Sequence, residues 1–252
     1  QLEERRGHEL FERRGRELLL TEAGRIALAH ADTIFTTGDE LVATLGQHAS
    51  RTRPILRVGA LATLSRNFQL AFVEPLLAAG EAEIVLRSGN LGDLLARLGG
   101  HQLDVVLSNV LPPRDAGTVW VSHLIDEQPV SLVAHPDRLQ QEDDVRTLLE
   151  RCPVLLPTVE TDLRSGIDAL LERLGVRPRI AAEVDDMAML RLLARADAGV
   201  AILPPIVVRD ELAAETLVEV ERLPSLREPF YAVTATRQFP NPLLRDLLPA
   251  VP

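Results

Sequence analysis

Apolar and polar positions along the first 53 residues follow two different rhythms. Leu10-Phe11 and Leu18-Leu19-Leu20 lie in short runs on either side of Arg14-Gly15-Arg16, which predicts a β-hairpin closed by a glycine turn. Beyond it, Ala27, Ala31, Ile34, Gly38, Leu41 and Leu45 recur at spacings of 4, 3, 4, 3 and 4, the seam of a helix that packs lengthwise on another helix. Thr21 is the predicted N-cap. Such a stripe can lie against its own domain or against a second copy. Too little chain precedes it to supply a core, so the intermolecular seam is the expectation.

From residue 54 the pattern changes: short strand-like runs alternate with helical ones, the signature of βαβ units and a largely parallel sheet. A first series predicts strand 56–58, helix 66–79 perturbed at Pro75, strand 83–87, helix 91–98 and strand 103–107. A second predicts strand 153–156, helix 162–174 closed by Gly175, strand 179–184, helix 187–196 and the apolar strand 200–203. Residues 131–133 read as the crossing into the second half. Residues 230–234 read as a strand returning to the first, with a closing helix over 242–248. The expected organisation is therefore 1–20, a helix within 21–53, one lobe from 54–130 with 230–252, and another from 131–229. Two crossings make a hinge.

Composition narrows the functional classes. With 252 residues, 46% of them hydrophobic, the chain can bury about three quarters of its unfolded surface. None of the 17 prolines lies before Pro54, which marks the boundary independently of the pattern. No apolar run approaches the ~18–20 residues that cross a bilayer, so no membrane partner is expected. Gln1 in place of Met suggests a fragment of a cytoplasmic protein. The basic residues are all arginine, which excludes Schiff-base and phosphate-loop lysines. A net charge of −10 and only six Phe, one Tyr and one Trp argue that nucleic-acid contact is local, with Arg13, Arg14 and Arg16 on the hairpin as its candidates. Cys152 is alone, so neither a disulfide nor a thiolate zinc site can form within the chain. The six histidines show no HExxH or H-x-E spacing, and no G-x-S-x-G elbow occurs; no enzyme and no cofactor are expected.

In a hinged α/β protein the ligand sits beyond the carboxyl ends of the strands, where helix N-termini present free N–H groups. Thr63, Leu64 and Ser65 follow the first strand there. Asp185 and Asp186 stand between a strand and a helix. Capping is one reading of the pair; the other turns Asp185 towards the cleft with Glu160, where their oxygens would suit a hard cation or a basic effector.

The order Gln1-Leu2-Glu3-Glu4-Arg5-Arg6-Gly7-His8-Glu9-Leu10-Phe11-Glu12-Arg13, then Leu20-Thr21-Glu22-Ala23-Gly24, resembles the end of the winged helix-turn-helix of LysR-type transcriptional regulators, whose signature reads LEERLGxxLFxRxxRxxxLTxAG. Leu56-Arg57-Val58-Gly59 and Leu103-Asp104-Val105-Val106-Leu107 are similar to strands of that family's effector domain. The segments from Asp104 to Asn109, Val184 to Leu190 and Arg227 to Ala232 look most like its antiporter-gene activator branch, the NhaR-like regulators.

The resemblance implies a two-lobed fold like the type 2 periplasmic binding proteins, behind a hairpin wing and a linker helix. It implies promoter DNA, a homodimer or homotetramer and RNA polymerase as partners of the intact regulator. It further implies an interlobe effector site at Thr63, Leu64, Ser65, Ser108, Asn109 and Thr158 to Thr161, with a cation such as sodium as the candidate ligand. Only the last turns of the family's recognition helix match, so poor DNA affinity is expected of this chain. The competing reading is a two-lobed solute-binding protein, for which an arginine hairpin and a heptad helix have no use.

Overall fold

The computed structural model describes residues 9–14, 17–49, 53–80, 82–113, 120–140, 144–237 and 239–249. Residues 1–8 of the signature and Arg16 lie outside the described residues, as do the side chains of Arg14 and Leu45. The hairpin forms: β1 (Phe11–Arg14) pairs antiparallel with β2 (Glu17–Leu20), Phe11 opposite Leu20. A 28-residue helix, Glu22–Ala49, follows at once. Thr21 caps it, its hydroxyl accepting from the Gly24 N–H at 3.0 Å while its own N–H donates to the Leu10 carbonyl. A Cβ on Gly24 would stand 2.0 Å from that carbonyl oxygen, so the motif's glycine is what lets the helix start against the hairpin.

Beyond residue 54 one eight-stranded mixed sheet runs β4-β3-β5-β10-β6-β9-β7-β8. Its first half is β3 (Ile55–Leu61), β4 (Glu83–Gly89) and β5 (Val105–Ser108), mutually parallel, with helices Arg66–Ala79 and Leu91–Gly99 as crossovers. Its second half is β7 (Val154–Pro157), β8 (Ile180–Val184) and β9 (Val200–Leu203), also parallel, with helices Asp162–Leu174 and Met187–Arg195. Local chemistry explains the close agreement of these elements with the pattern. Thr161 and Ser65 accept from N–H groups of the first helical turns, and Gly175 closes its helix at φ 67°. Pro75 lies inside Arg66–Ala79 without ending it.

The two crossings differ from expectation. The one placed at 131–133 is a 15-residue strand, β6 (Trp120–Ala134), and the one placed at 230–234 is an 18-residue strand, β10 (Val218–Ala235). They pair antiparallel with each other, so the sheet is mixed rather than largely parallel. Register shifts between Glu219 and Glu221, Leu223 and Arg227, and Phe230 and Tyr231 interrupt the period-2 alternation that would have revealed these strands. The expected helix at 242–248 is a 3-10 turn, Pro242–Asp246, whose N–H groups reach three residues back rather than four. A helix at Val145–Arg151 was not expected.

Two apolar cores lie along this sheet. One gathers Leu56, Val58, Phe68, Phe72, Leu98, Val106 and Phe230; the other gathers Leu132, Leu148, Leu155, Ile167, Leu190 and Ile202. Ile206, in the turn Pro205–Val208, packs against both. Among the described residues no helix is long and apolar enough to cross a membrane.

The chain's end is fastened to the first core by one buried carboxylate. Asp104 accepts from Arg237 at 3.2 Å, from the Arg57 backbone at 2.7 Å and from Asn241 at 3.1 Å. Asp104→Ala should leave the buried guanidinium of Arg237 without its carboxylate and cost about 3–5 kcal/mol. Urea unfolding followed through Trp120, the chain's single tryptophan, which packs against this core, reads the loss directly; a midpoint within error of the parent would refute the assignment.

Candidate functional site

The carboxyl ends of β3, β5 and β9 and the start of helix Met187–Arg195 converge where the two cores meet. Thr63, Leu64 and Ser65 come from the loop after β3, Asn109 from the end of β5, Pro204 and Val207 from the turn after β9, and Met187 from the helix after β8. Glu228 and Phe230 of β10 complete the lining. The opening they surround has a cavity volume of about 10 Å³, on the order of the space that one water molecule needs. Arg66, Asn67, Ala188 and Arg191, again with Met187 and Val207, line a second opening of about 20 Å³ along the same seam. Arg191 is bound to Glu211 at 2.7 Å, and Arg66 donates to Ser88 at 2.9 Å.

The walls are held in place by bonds made within and across the seam. Ser65 caps helix Arg66–Ala79, and the Leu64 carbonyl accepts from Gln69 at 3.0 Å. Asn67 donates to the Val207 carbonyl at 3.4 Å, a direct link from the first half of the sheet to the second. The Phe230 ring stacks on Phe68 with centroids 4.4 Å apart, which anchors β10 against the first core.

Glu228 is the one ionisable side chain in the lining of the first opening. It is 6% exposed, and one carboxyl oxygen accepts from the Asn109 amide at 2.6 Å. Burial pushes its pKa up from 4.5 to about 7; the Asn109 bond opposes the rise and the negative charge of Asp162 adds to it. Neighbouring Arg227, by contrast, pairs with Glu127 at 2.6 Å and is exposed, as alternation along the strand requires.

Of the predicted residues, Thr63, Leu64, Ser65 and Asn109 are brought together. Ser108 is not in the lining: it is fully buried, and its hydroxyl donates to the Val110 carbonyl and accepts from the Val110 N–H. Thr158 spends its N–H on the Val184 carbonyl and its own carbonyl on Thr161, which caps the next helix. Glu160 and Asp185 are exposed and absent from the lining, while Asp186 caps helix Met187–Arg195 through the Ala188 N–H. Among the described residues no three acids, histidines or cysteines cluster as a metal site. Cys152 is buried away from this lining.

Sequence reasoning missed Glu228, Met187, Pro204, Val207 and Phe230. For Glu228 the local sequence held little signal: it stands between Arg227 and Pro229 in a strand that also carries Glu219, Glu221 and Arg222.

On the hairpin, Arg13 is exposed. Along the long helix Ile34 and Leu41 are 69% and 58% exposed, Gly38 is exposed, and Ala27 and Ala31 are half-buried. Ile26, Leu28 and Phe35 widen this uncovered apolar stripe.

Known proteins share this chain's sequence pattern and fold. The family described as LysR substrate binding domain matches residues 49–251. The transcriptional activator protein NhaR of Escherichia coli is 26% identical over 249 residues, spanning 98% of this chain and 81% of that protein. Among solved structures, full-length OxyR from Pseudomonas aeruginosa superposes with a TM-score of 0.63 at 19% identity, covering 98% of this chain and 80% of that one. Full-length LysG from Corynebacterium glutamicum, with its effector Arg bound, superposes with a TM-score of 0.60 at 19% identity, covering 98% and 83%.

The buried carboxyl yields a pH prediction. The folded chain holds the Glu228 proton more tightly than the unfolded chain, so stability falls as pH rises from about 4.5 through about 7. The full loss is roughly 3 kcal/mol. Glu228→Gln, which can still accept from Asn109, should therefore match the parent near pH 4.5 and exceed it in stability at pH 8.5. Denaturant titrations at both pH values check this, and equal gains at both would show that the carboxyl ionises freely.

Proposed function

We propose a function that proceeds from one premise, that the chain belongs to the LysR family of transcriptional regulators: it senses a small effector between its two lobes and passes the result to DNA-binding heads through the long helix. The carrying observation is the convergence of Thr63, Ser65, Asn109 and Glu228 on one opening where the two cores meet. The lobes are taken as 54–130 with 230–252, and 131–229, joined by β6 and β10. A ligand that fits one relative arrangement of the lobes better than another shifts their equilibrium by its difference in affinity.

As it stands the opening has room for an ion without its waters, and a small organic group would enter as the lobes part. Sodium is the candidate that the resemblance to the antiporter-gene activator branch implies; LysG, of similar fold, has Arg bound as its effector. The name of the relative NhaR supports activation. Self-association runs through the stripe of Ala27, Ala31, Ile34, Gly38, Leu41 and Leu45, giving a homodimer or homotetramer that works with RNA polymerase in the cytoplasm. Arg13, Arg14 and Arg16 contact the phosphate backbone, which positions the protein without reading sequence.

Two measurements test this reading. Calorimetry with sodium, lithium, arginine and small carboxylates should find a ligand whose affinity drops about tenfold or more in Thr63→Val, on the order of 1.4 kcal/mol; binding that survives both this change and Leu64→Trp, which fills the opening, would place the effector elsewhere. Ile34→Asp or Leu41→Asp should weaken self-association by on the order of 2–4 kcal/mol, since a charge enters an apolar contact. Sedimentation velocity at micromolar concentration reads that as a shift towards monomer, and unchanged oligomers in both variants would remove the seam from the proposal.

A further inference from the structure

We propose that Glu228 is the counter-ion of the effector, so that the cleft selects a ligand with a positively charged group, a monovalent metal ion or a protonated amine or guanidinium, and takes it up in exchange for a proton. This rests on the reading of the cleft as the effector site and goes beyond it by naming the ligand's charge and the residue that demands it.

The geometry carries the inference. Glu228 is more than nine-tenths buried and lines the opening, with one carboxyl oxygen engaged by Asn109. Among the described residues no arginine pairs with it. The groups that line the opening with it are neutral, and the arginines of the adjoining opening, Arg66 and Arg191, are engaged by Ser88 and Glu211. The loop after β3 brings the hydroxyls of Thr63 and Ser65, and helix Met187–Arg195 brings the Met187 thioether. Across β6, Gln128 stands opposite in register with its amide turned to Asp126, and Glu127 is taken by Arg227. From helix Asp162–Leu174 the carboxylate of Asp162 adds repulsion.

A buried carboxyl in such surroundings has two favourable states: it keeps its proton, or it loses the proton to solvent and faces a cation. An anionic effector would meet the least favourable state. Binding of a cation M⁺ then follows as COOH + M⁺ giving COO⁻·M⁺ with one proton released to the buffer. With the carboxyl titrating at about 7, proton competition makes apparent affinity about tenfold stronger at pH 8 than at pH 6.

The test is isothermal titration of the whole chain with sodium, lithium, methylammonium and methylguanidinium chlorides, choline chloride serving as the ionic-strength control. Each is run at pH 6 and pH 8 in two buffers of different ionisation heat. One of these cations should bind about tenfold more tightly at pH 8 and release close to one proton at pH 6; the metal and organic arms decide which source supplies the charge. Glu228→Gln should weaken binding at least tenfold at pH 8 and abolish both proton release and pH dependence, while exposed Glu160→Gln leaves them unchanged. Thermal unfolding of Glu228→Gln checks that it remains folded. Binding of propionate that Glu228→Gln leaves intact or tightens, cation binding without proton release at pH 6, or failure of every cation to bind would each overturn the counter-ion. If Thr63→Val weakens a probe that Glu228→Gln does not, the effector cleft stands and the counter-ion alone falls; if neither variant weakens it, the cleft falls as well.

Discussion

Everything in this molecule that concerns a ligand depends on the antiparallel pairing of β6 with β10. These two strands carry the chain between the lobes, and each pairs with parallel strands of a neighbouring half: β10 with β5, β6 with β9. The ribbon therefore belongs to both cores at once. Leu132 and Val133 lie in one core, and Phe230, Ala232 and Val233 lie in the other. Its register decides which side chains of β10 face inward. A slip of one residue would turn Glu228 outward and bring Arg227, now paired with Glu127 at the surface, into the cleft. The sign of charge that the cleft presents is thus a consequence of strand register, pinned on one side by Phe230 stacking on Phe68.

That position has a thermodynamic cost, and the cost bears on function. A glutamate with 6% exposure and no arginine partner among the described residues destabilises the fold whenever it ionises. An apolar residue of similar size would fill the same space without that penalty. A second acid, Asp162, adds to the strain from across the seam. Buried, uncompensated ionisable groups concentrate at sites that use them. Asp104 is the contrast within the same chain: equally buried, it is met by Arg237, Asn241 and a backbone N–H, and it serves the fold.

Legibility in the sequence followed the range of the interactions involved. Helix Asp162–Leu174 is framed by Thr161 and Gly175, a few residues away, and its bounds could be read directly. The same holds for Arg66–Ala79 and for the apolar strand Val200–Leu203. β6 and β10 were seen only as fragments, because Pro129, Pro224 and Pro229 and three register shifts break the alternation that marks a strand. The site divides in the same way. Thr63, Ser65 and Asn109 follow from the rule that ligands sit beyond the carboxyl ends of parallel strands. Glu228 comes from the middle of an antiparallel strand, and only long-range pairing brings it there. In the second half of the sheet the same loops have structural duties: Thr158 gives its backbone N–H and carbonyl to a turn, and Asp186 caps its helix, the capping reading of the Asp185–Asp186 pair.

The contacts that close the seam are few and weak compared with the ribbon that spans it. Asn67 donates to the Val207 carbonyl at 3.4 Å, near the long limit for such a bond, and Ile206 divides its packing between the two cores. The β6–β10 ladder, by contrast, extends from Val218–Ala134 to Ala235–Trp120. The lobes are therefore joined by a strong hinge and a light latch, the combination that lets a small ligand govern their relative arrangement. A ligand of ionic size makes few contacts, so its influence must come from one large term. Relief of an uncompensated buried charge is such a term, and Glu228 stands on the hinge itself, beside the latch residue Val207 in the same lining. The chemistry that would bind the effector and the mechanics that would transmit it meet at that residue.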